Sequence, residues 1–259
     1  MEVIKVTFET FGDESKPSLL LLHGMVCTWE QNFSHLIGDL QRNYYLILPA
    51  YDGHNPKEDK DFADIEQTAV EIDDYIATHH GGKIYAAYGF SMGANVLAEI
   101  LASNRTAIEK TILDAPYLLP RPRFLAMPFS KIIAAIAVKI IKSPEKTSPI
   151  LLNLVTGSFT SESCPEKLNS VVFSNITKKT FYNAYYFDHI QKIRAEIKDT
   201  KTEVYCWCGS KEYFAIKSIN KLKKYIPDLQ FKQFDGLKHG GLIYSDRFKQ
   251  ELDAVLLPS

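Results

Sequence analysis

The sequence has almost no surplus of charge of either sign: 30 lysines and arginines face 31 aspartates and glutamates, a formal net charge of −1 over 259 residues. A chain so balanced sets up no global field to draw in nucleic acid or an anionic membrane, and no motif below calls for a nucleic-acid partner. Long apolar runs are missing too. The longest, around Ile132 to Ile141, is interrupted by Lys139 and is too short to span a bilayer. The opening stretch, MEVIKVTFETFG, alternates apolar and polar residues as a strand does, without the basic start, apolar block and cleavage site of an export signal. Cysteine is scarce, at Cys27, Cys164, Cys206 and Cys208. These read as free thiols in a reducing cytoplasm, and no second ligand pair completes a zinc site with Cys206 and Cys208. The expectation is a cytoplasmic protein without metal or cofactor.

What is present is the composition of an ordinary globular domain, 46% hydrophobic and 24% charged. Strand-like and helix-like segments alternate. Ser18 to Leu22 and Tyr44 to Leu48 are apolar runs suited to strands covered on both faces, the second ended by Pro49. Trp29 to Arg42 and Phe62 to His80 carry helical apolar stripes, the latter stopped by Gly81-Gly82. Lys83 to Phe90 predicts a strand, Met92 to Ser103 a helix and Thr111 to Leu113 a strand. After Asp114 four prolines crowd together and helical stretches take over, with an aromatic group from Phe181 to Phe187. Alternation resumes at Val204. Repeated β–α units imply a mostly parallel sheet with helices on both faces, interrupted over residues 115–200 by a helical insertion.

The strongest local signal is Gly89-Phe90-Ser91-Met92-Gly93, set between a strand-like run and a helix-like run. A serine on such a tight strand-to-helix turn holds its hydroxyl above the sheet, and glycines two residues before and after avoid collisions. The hydroxyl needs a base, and the base needs an acid to orient it. His239 lies in the glycine-rich loop after the last strand, over the carboxyl ends of the strands. Glu212, just past a strand end, is the first choice for the acid, and Asp114, one strand earlier, is the second. Asp235 is only four residues from His239, too near to reach round it. The backbone N–H groups of Met25 and Met92 are the expected oxyanion donors, with Gly24 permitting the bend before Met25. Tyr182 and Tyr186, with Gly24, are candidates to touch substrate.

On these marks (His23-Gly24, Asp52-Gly53-His54, the turn at Gly89 to Gly93, Gly209-Ser210-Lys211-Glu212 and His239) the sequence resembles the α/β-hydrolase superfamily over nearly its whole length. The resemblance implies an eight-stranded or slightly abbreviated, mostly parallel sheet. It divides the chain into a core of residues 1–114 and 201–259 and a helical cap of residues 115–200. It further implies cofactor-free triad hydrolysis of a small or medium ester, with His54 in a structural loop. A serine at the turn, where aspartate would stand in dehalogenases and epoxide hydrolases, favours acyl transfer. Two rivals remain: a carbon–carbon hydrolase or lyase using the same triad, and a ligand-binding protein that kept the fold without turnover. The basic, apolar helix from Lys131 to Ile141 is expected to bury its apolar side over the site rather than to touch lipid.

Overall fold

The computed structural model describes residues 6–143, 146 and 172–257. Cys164, and the first part of the helical stretch expected from Pro165, lie outside them. Seven strands form one sheet: β1 (Thr7–Phe11), β2 (Ser18–Leu22), β3 (Tyr45–Ala50), β4 (Lys83–Phe90), β5 (Ala107–Asp114), β6 (Glu203–Gly209) and β7 (Gln230–Phe234), in the spatial order β1-β3-β2-β4-β5-β6-β7. Only β1 runs antiparallel, beside β3. The inner strands are apolar because both of their faces are covered. Leu19, Leu20, Leu21 and Leu22 are wholly buried, each worth roughly 1.5–3 kcal/mol of burial. At one edge, β7 keeps Gln230, Lys232 and Gln233 exposed, a polar border that discourages pairing with another chain.

Helices cover the sheet: α1 (Trp29–Leu40), α2 (Ile65–His80), α3 (Met92–Ser103), α4 (Arg123–Lys142), α5 (Lys178–Ile190), α6 (Tyr213–Leu222) and α7 (Phe248–Leu256). Local chemistry fixes several ends. Thr28 and Gln31 close a capping box on α1, and Gly81, at φ 60°, ends α2. Several boundaries differ from the sequence expectation, among them the start of β5 at Ala107, and two have a visible cause. Pro49 lies inside β3, where pairing with β2 has already stopped at Ile47 and only β1 remains alongside. Helix α2 begins at Ile65, capped by Asp64, because Phe62 is drawn into the core and its N–H donates to Thr180 Oγ1.

Between β5 and β6 the described elements are helical. α4 and α5 pack on each other around Ala134, Ala137, Val138, Ile141 and Phe181, a second apolar cluster that also takes in Val26. This layer is pinned to the sheet domain at several points. The Phe173 N–H donates to the Val26 carbonyl (2.7 Å), and Asn183 Nδ2 donates to the Phe62 carbonyl (2.7 Å). Gly53 lies so close that a Cβ there would meet Thr180 Oγ1 at 2.3 Å. At the other end of α5, Asp188 Oδ1 accepts from Asn95 Nδ2 on α3 (2.8 Å).

Candidate active site

β4 ends at Phe90 and α3 starts at Met92, which leaves Ser91 alone to reverse the chain. It does so at φ 55° and ψ −119°, a conformation that a residue with a Cβ adopts only under constraint. Three features impose it. The Ser91 N–H donates to the Asp114 carbonyl (2.8 Å). A Cβ at Gly89 would lie 2.5 Å from the Gly93 carbonyl oxygen, and one at Gly93 would lie 2.2 Å from that of Leu22. Only glycine fits at either place, which is the physical content of the Gly-x-Ser-x-Gly pattern.

His239 Nε2 stands 2.9 Å from Ser91 Oγ, and its Nδ1 stands 2.6 Å from Glu212 Oε1. An ionised carboxylate can only accept, so Nδ1 carries the proton and Nε2 presents its lone pair to the hydroxyl. The Glu212 side chain is 8% exposed and that of His239 28%. The second Glu212 oxygen accepts from the Gly209 N–H at 2.5 Å, so both oxygens are engaged and the carboxylate cannot swing away. A Cβ at Gly209 would strike the Leu237 carbonyl at 2.2 Å, so glycine there lets the His239 loop lie against the end of β6. The Phe90 ring lies 5.0 Å from the imidazole.

Asp114, the second candidate for the acid, points elsewhere. Its Oδ2 accepts from the Tyr88 hydroxyl at 2.6 Å. Burial first, and then the neighbouring Glu212, push its carboxyl from the ordinary 3.8 up to about 7. A carboxyl that holds its proton better folded than unfolded costs stability as pH rises. The cost is absent below about pH 4, grows up to about pH 7 and is complete above that. The Tm of Asp114→Asn relative to the parent is therefore expected to rise between pH 5 and pH 8, by roughly several degrees. A relative Tm that stays flat or falls over that range in paired calorimetric scans would contradict this assignment. Asp235 bonds Ser210 Oγ at 3.2 Å instead of turning toward the imidazole.

The loop after β2 is held from below. His23, fully buried, donates from Nδ1 to the Gly24 carbonyl (2.9 Å), and burial pushes its pKa down to about 3, so the ring is neutral. The Gly24 N–H donates to Asn32 Oδ1 (2.9 Å), and Asn32 Nδ2 donates to the Tyr244 hydroxyl (2.7 Å). Val26 sits at φ 55°. A Cβ at Gly24 would come within 3.5 Å of Ser91 Cβ, so Met25 follows the point where this loop approaches the serine. Met92 opens α3, and the first N–H groups of a helix have no acceptor within it. His54 is buried, pushed down to about 4 by burial, and ringed by Phe62, Tyr51 and His23, as befits a structural residue.

Tyr182 and Tyr186 stack on each other one turn apart on α5, with centroids 5.7 Å apart. Asp188 ties that helix to α3, the helix that Ser91 precedes, and sequence reasoning missed it along with its partner Asn95. Asn95 also receives the Tyr117 N–H and donates to the Tyr117 carbonyl, so one amide joins α3, the segment after β5 and α5. Burial pushes the Asp188 carboxyl up to about 7, opposed by the field of His239. Cys27, Cys206 and Cys208 are buried thiols outside any disulfide, and no group of three or more His, Cys, Asp or Glu among the described residues has metal-holding geometry.

A seven-stranded, mostly parallel sheet carrying a serine on a strained βα turn, with a histidine and a glutamate in line behind it, defines an α/β-hydrolase. Residues 13–239 match the serine aminopeptidase S33 family, and the chain belongs to that family. Solved structures with the same fold include an α/β-hydrolase-family protein from Desulfitobacterium hafniense at 20% identity and TM-score 0.81, over 97% of this chain and 100% of that one. An esterase from Rhodococcus sp. ECU1013 matches at 19% identity and TM-score 0.73, over 97% of this chain and 94% of that one. A thermophilic esterase from Thermogutta terrifontis matches at 16% and 0.70, again over 97% and 94%. No curated protein matches the chain.

Proposed function

We propose that the protein is a serine esterase in which Ser91 is the nucleophile, His239 the base and Glu212 the acid that orients it. The observation that carries this reading is the unbroken line from Ser91 Oγ through the imidazole to Glu212, at 2.9 and 2.6 Å. His239 Nε2 takes the hydroxyl proton as Oγ attacks the ester carbonyl, and the new imidazolium is stabilised by Glu212. The tetrahedral oxyanion is held by the N–H groups of Met25 and Met92, with the N-terminus of α3 favouring its charge. Collapse expels the alkoxide, which takes the proton from His239. Water, deprotonated by the same imidazole, then releases the acid from the acyl-enzyme. The helices α4 and α5 serve as a cap, and Tyr182 and Tyr186 on α5 are the candidate substrate contacts it carries. The esterases among the structural relatives support an ester as the acyl donor.

The test is a panel of p-nitrophenyl acyl esters of increasing chain length beside aminoacyl p-nitroanilides. Saturable release of p-nitrophenol with at least one ester is expected. Turnover confined to the anilides would replace the esterase reading with the peptidase activity in the family's name.

A further inference from the structure

Helix α4 has two unlike sides. Ala126, Ser130, Ala134, Ala137, Val138 and Ile141 are buried, and much of this small-residue side packs on α5. The opposite side leaves large apolar side chains in solvent: Leu125 (55% exposed), Phe129, Ile132 (58%) and Ile136, at the i, i+4, i+7, i+11 spacing of one straight stripe, while Phe124 (75%) and Met127 are exposed off that stripe in the first turns. Single exposed apolar residues need no explanation, but a stripe the length of a helix marks a surface that something covers. By length and composition alone α4 could cross a membrane. Its packed side rules that orientation out and leaves a helix that would lie flat.

Charge identifies what covers it. Arg121, Arg123, Lys131, Lys139 and Lys142 are the only charged residues from 115 to 143, so five positive charges stand on or beside this one element of a chain whose net charge is −1. Lys131, Lys139 and Lys142 are exposed. Long basic side chains along an apolar stripe can lay their stems on it and reach anionic headgroups. A second copy of the chain is a poor occupant, because a two-fold contact sets a patch against itself and would bring lysine to lysine with no carboxylate between. A chain of ring contacts, passing through the buried His189, runs from this face toward the site. The Phe129 ring neighbours Tyr185 (6.2 Å), Tyr185 neighbours His189 (4.0 Å), His189 neighbours Tyr117 (4.5 Å) and Tyr117 neighbours Phe214 (5.9 Å). Phe214 and the equally exposed Tyr213 open α6 directly after Glu212.

We propose that α4 docks the protein on an anionic lipid surface, its Leu125–Phe129–Ile132–Ile136 stripe entering the headgroup boundary and its lysines meeting the lipid phosphates. Docking is a property of this face and holds whether or not the protein is an esterase. The experiment is flotation of the full chain with vesicles of phosphatidylcholine alone and of phosphatidylcholine with phosphatidylglycerol, at low and high salt, with light scattering on the free protein. Expected is co-flotation with the anionic vesicles that weakens with salt. Ile132→Asp should abolish it, and Lys131→Glu paired with Lys142→Glu should lower partitioning at least about fivefold per charge removed. All three positions are exposed, and unchanged circular dichroism would confirm that the variants fold. Three results would overturn the proposal: no co-flotation of the parent chain, binding that ignores both lipid charge and Ile132→Asp, or a dimer in solution that Ile132→Asp dissolves. The last would make a second copy the occupant.

Discussion

Replacing Ser91 by alanine is expected to lower ester turnover by roughly four to six orders of magnitude while the protein stays folded. The variant deletes one oxygen. The left-handed turn is held by the Ser91 N–H on the Asp114 carbonyl and by the glycine contacts at 89 and 93, none of which uses the hydroxyl. Loss of activity can therefore be separated from loss of structure: circular dichroism and Tm should stay near the parent's as kcat collapses. The residual rate over solvent would come from Met25 and Met92, which can still polarise a bound carbonyl for attack by water. A variant that kept more than about a tenth of parental turnover would remove Ser91 from the chemistry, since no positioning residue lies so close to the reacting bond as a nucleophile must.

The second large effect separates two carboxylates that lie close together. Glu212→Gln should cost about three to four orders of magnitude in kcat, whereas Asp114→Asn should cost less than about tenfold. The reason is the proton on the imidazole. Glu212 Oε1 faces Nδ1 at 2.6 Å, so the ring is locked with its lone pair toward Ser91. A glutamine amide that turned its NH2 toward Nδ1 would favour the opposite tautomer and point a proton at the serine. Asp114 bonds Tyr88 and acts on the serine through its backbone carbonyl, which asparagine retains. If Asp114→Asn proved the crippling change, the order of the two acids would be reversed.

Why sequence reasoning separated these two acids only by ranking is instructive. Asp114 ends β5 and Glu212 follows β6, its neighbour in the sheet, and both lie where sites on such sheets form. Their difference is one of side-chain direction and reach, set by Tyr88 on one and by the Gly209 turn on the other. Ser91 and His239 were easier, because a glycine pattern on a strand-to-helix turn and a glycine-flanked histidine after the last strand are local signals. The sheet was legible for a similar reason: apolar runs such as Leu19 to Leu22 can hardly be anything but doubly covered strands.

What stayed hidden depends on contacts between distant segments. Asp188 meets Asn95 across 93 residues, and nothing near either position marks the pair. Phe62 reads as the start of a helix until Thr180, 118 residues away, takes its N–H. Helix α4 reads as amphipathic, with its apolar side expected to be buried. In the folded chain the side that carries Ala126, Ser130, Ala134 and Ala137, with Val138, Ile140 and Ile141 toward its end, is buried, and Phe124, Leu125 and Ile132 stay outside, because Ala and Ser let α5 approach closely. Periodicity shows that two sides differ, but not which of them the rest of the chain will cover.

The central claim is that Ser91 is an activated nucleophile. Its most direct test is fluorophosphonate labelling of the purified protein, read by peptide mass, with heat-denatured protein as the control. Stoichiometric phosphonylation of Ser91 alone in the folded protein, and none after denaturation, is the result the geometry predicts. Folded protein that takes up no label at Ser91, or takes it up at another residue, would contradict it.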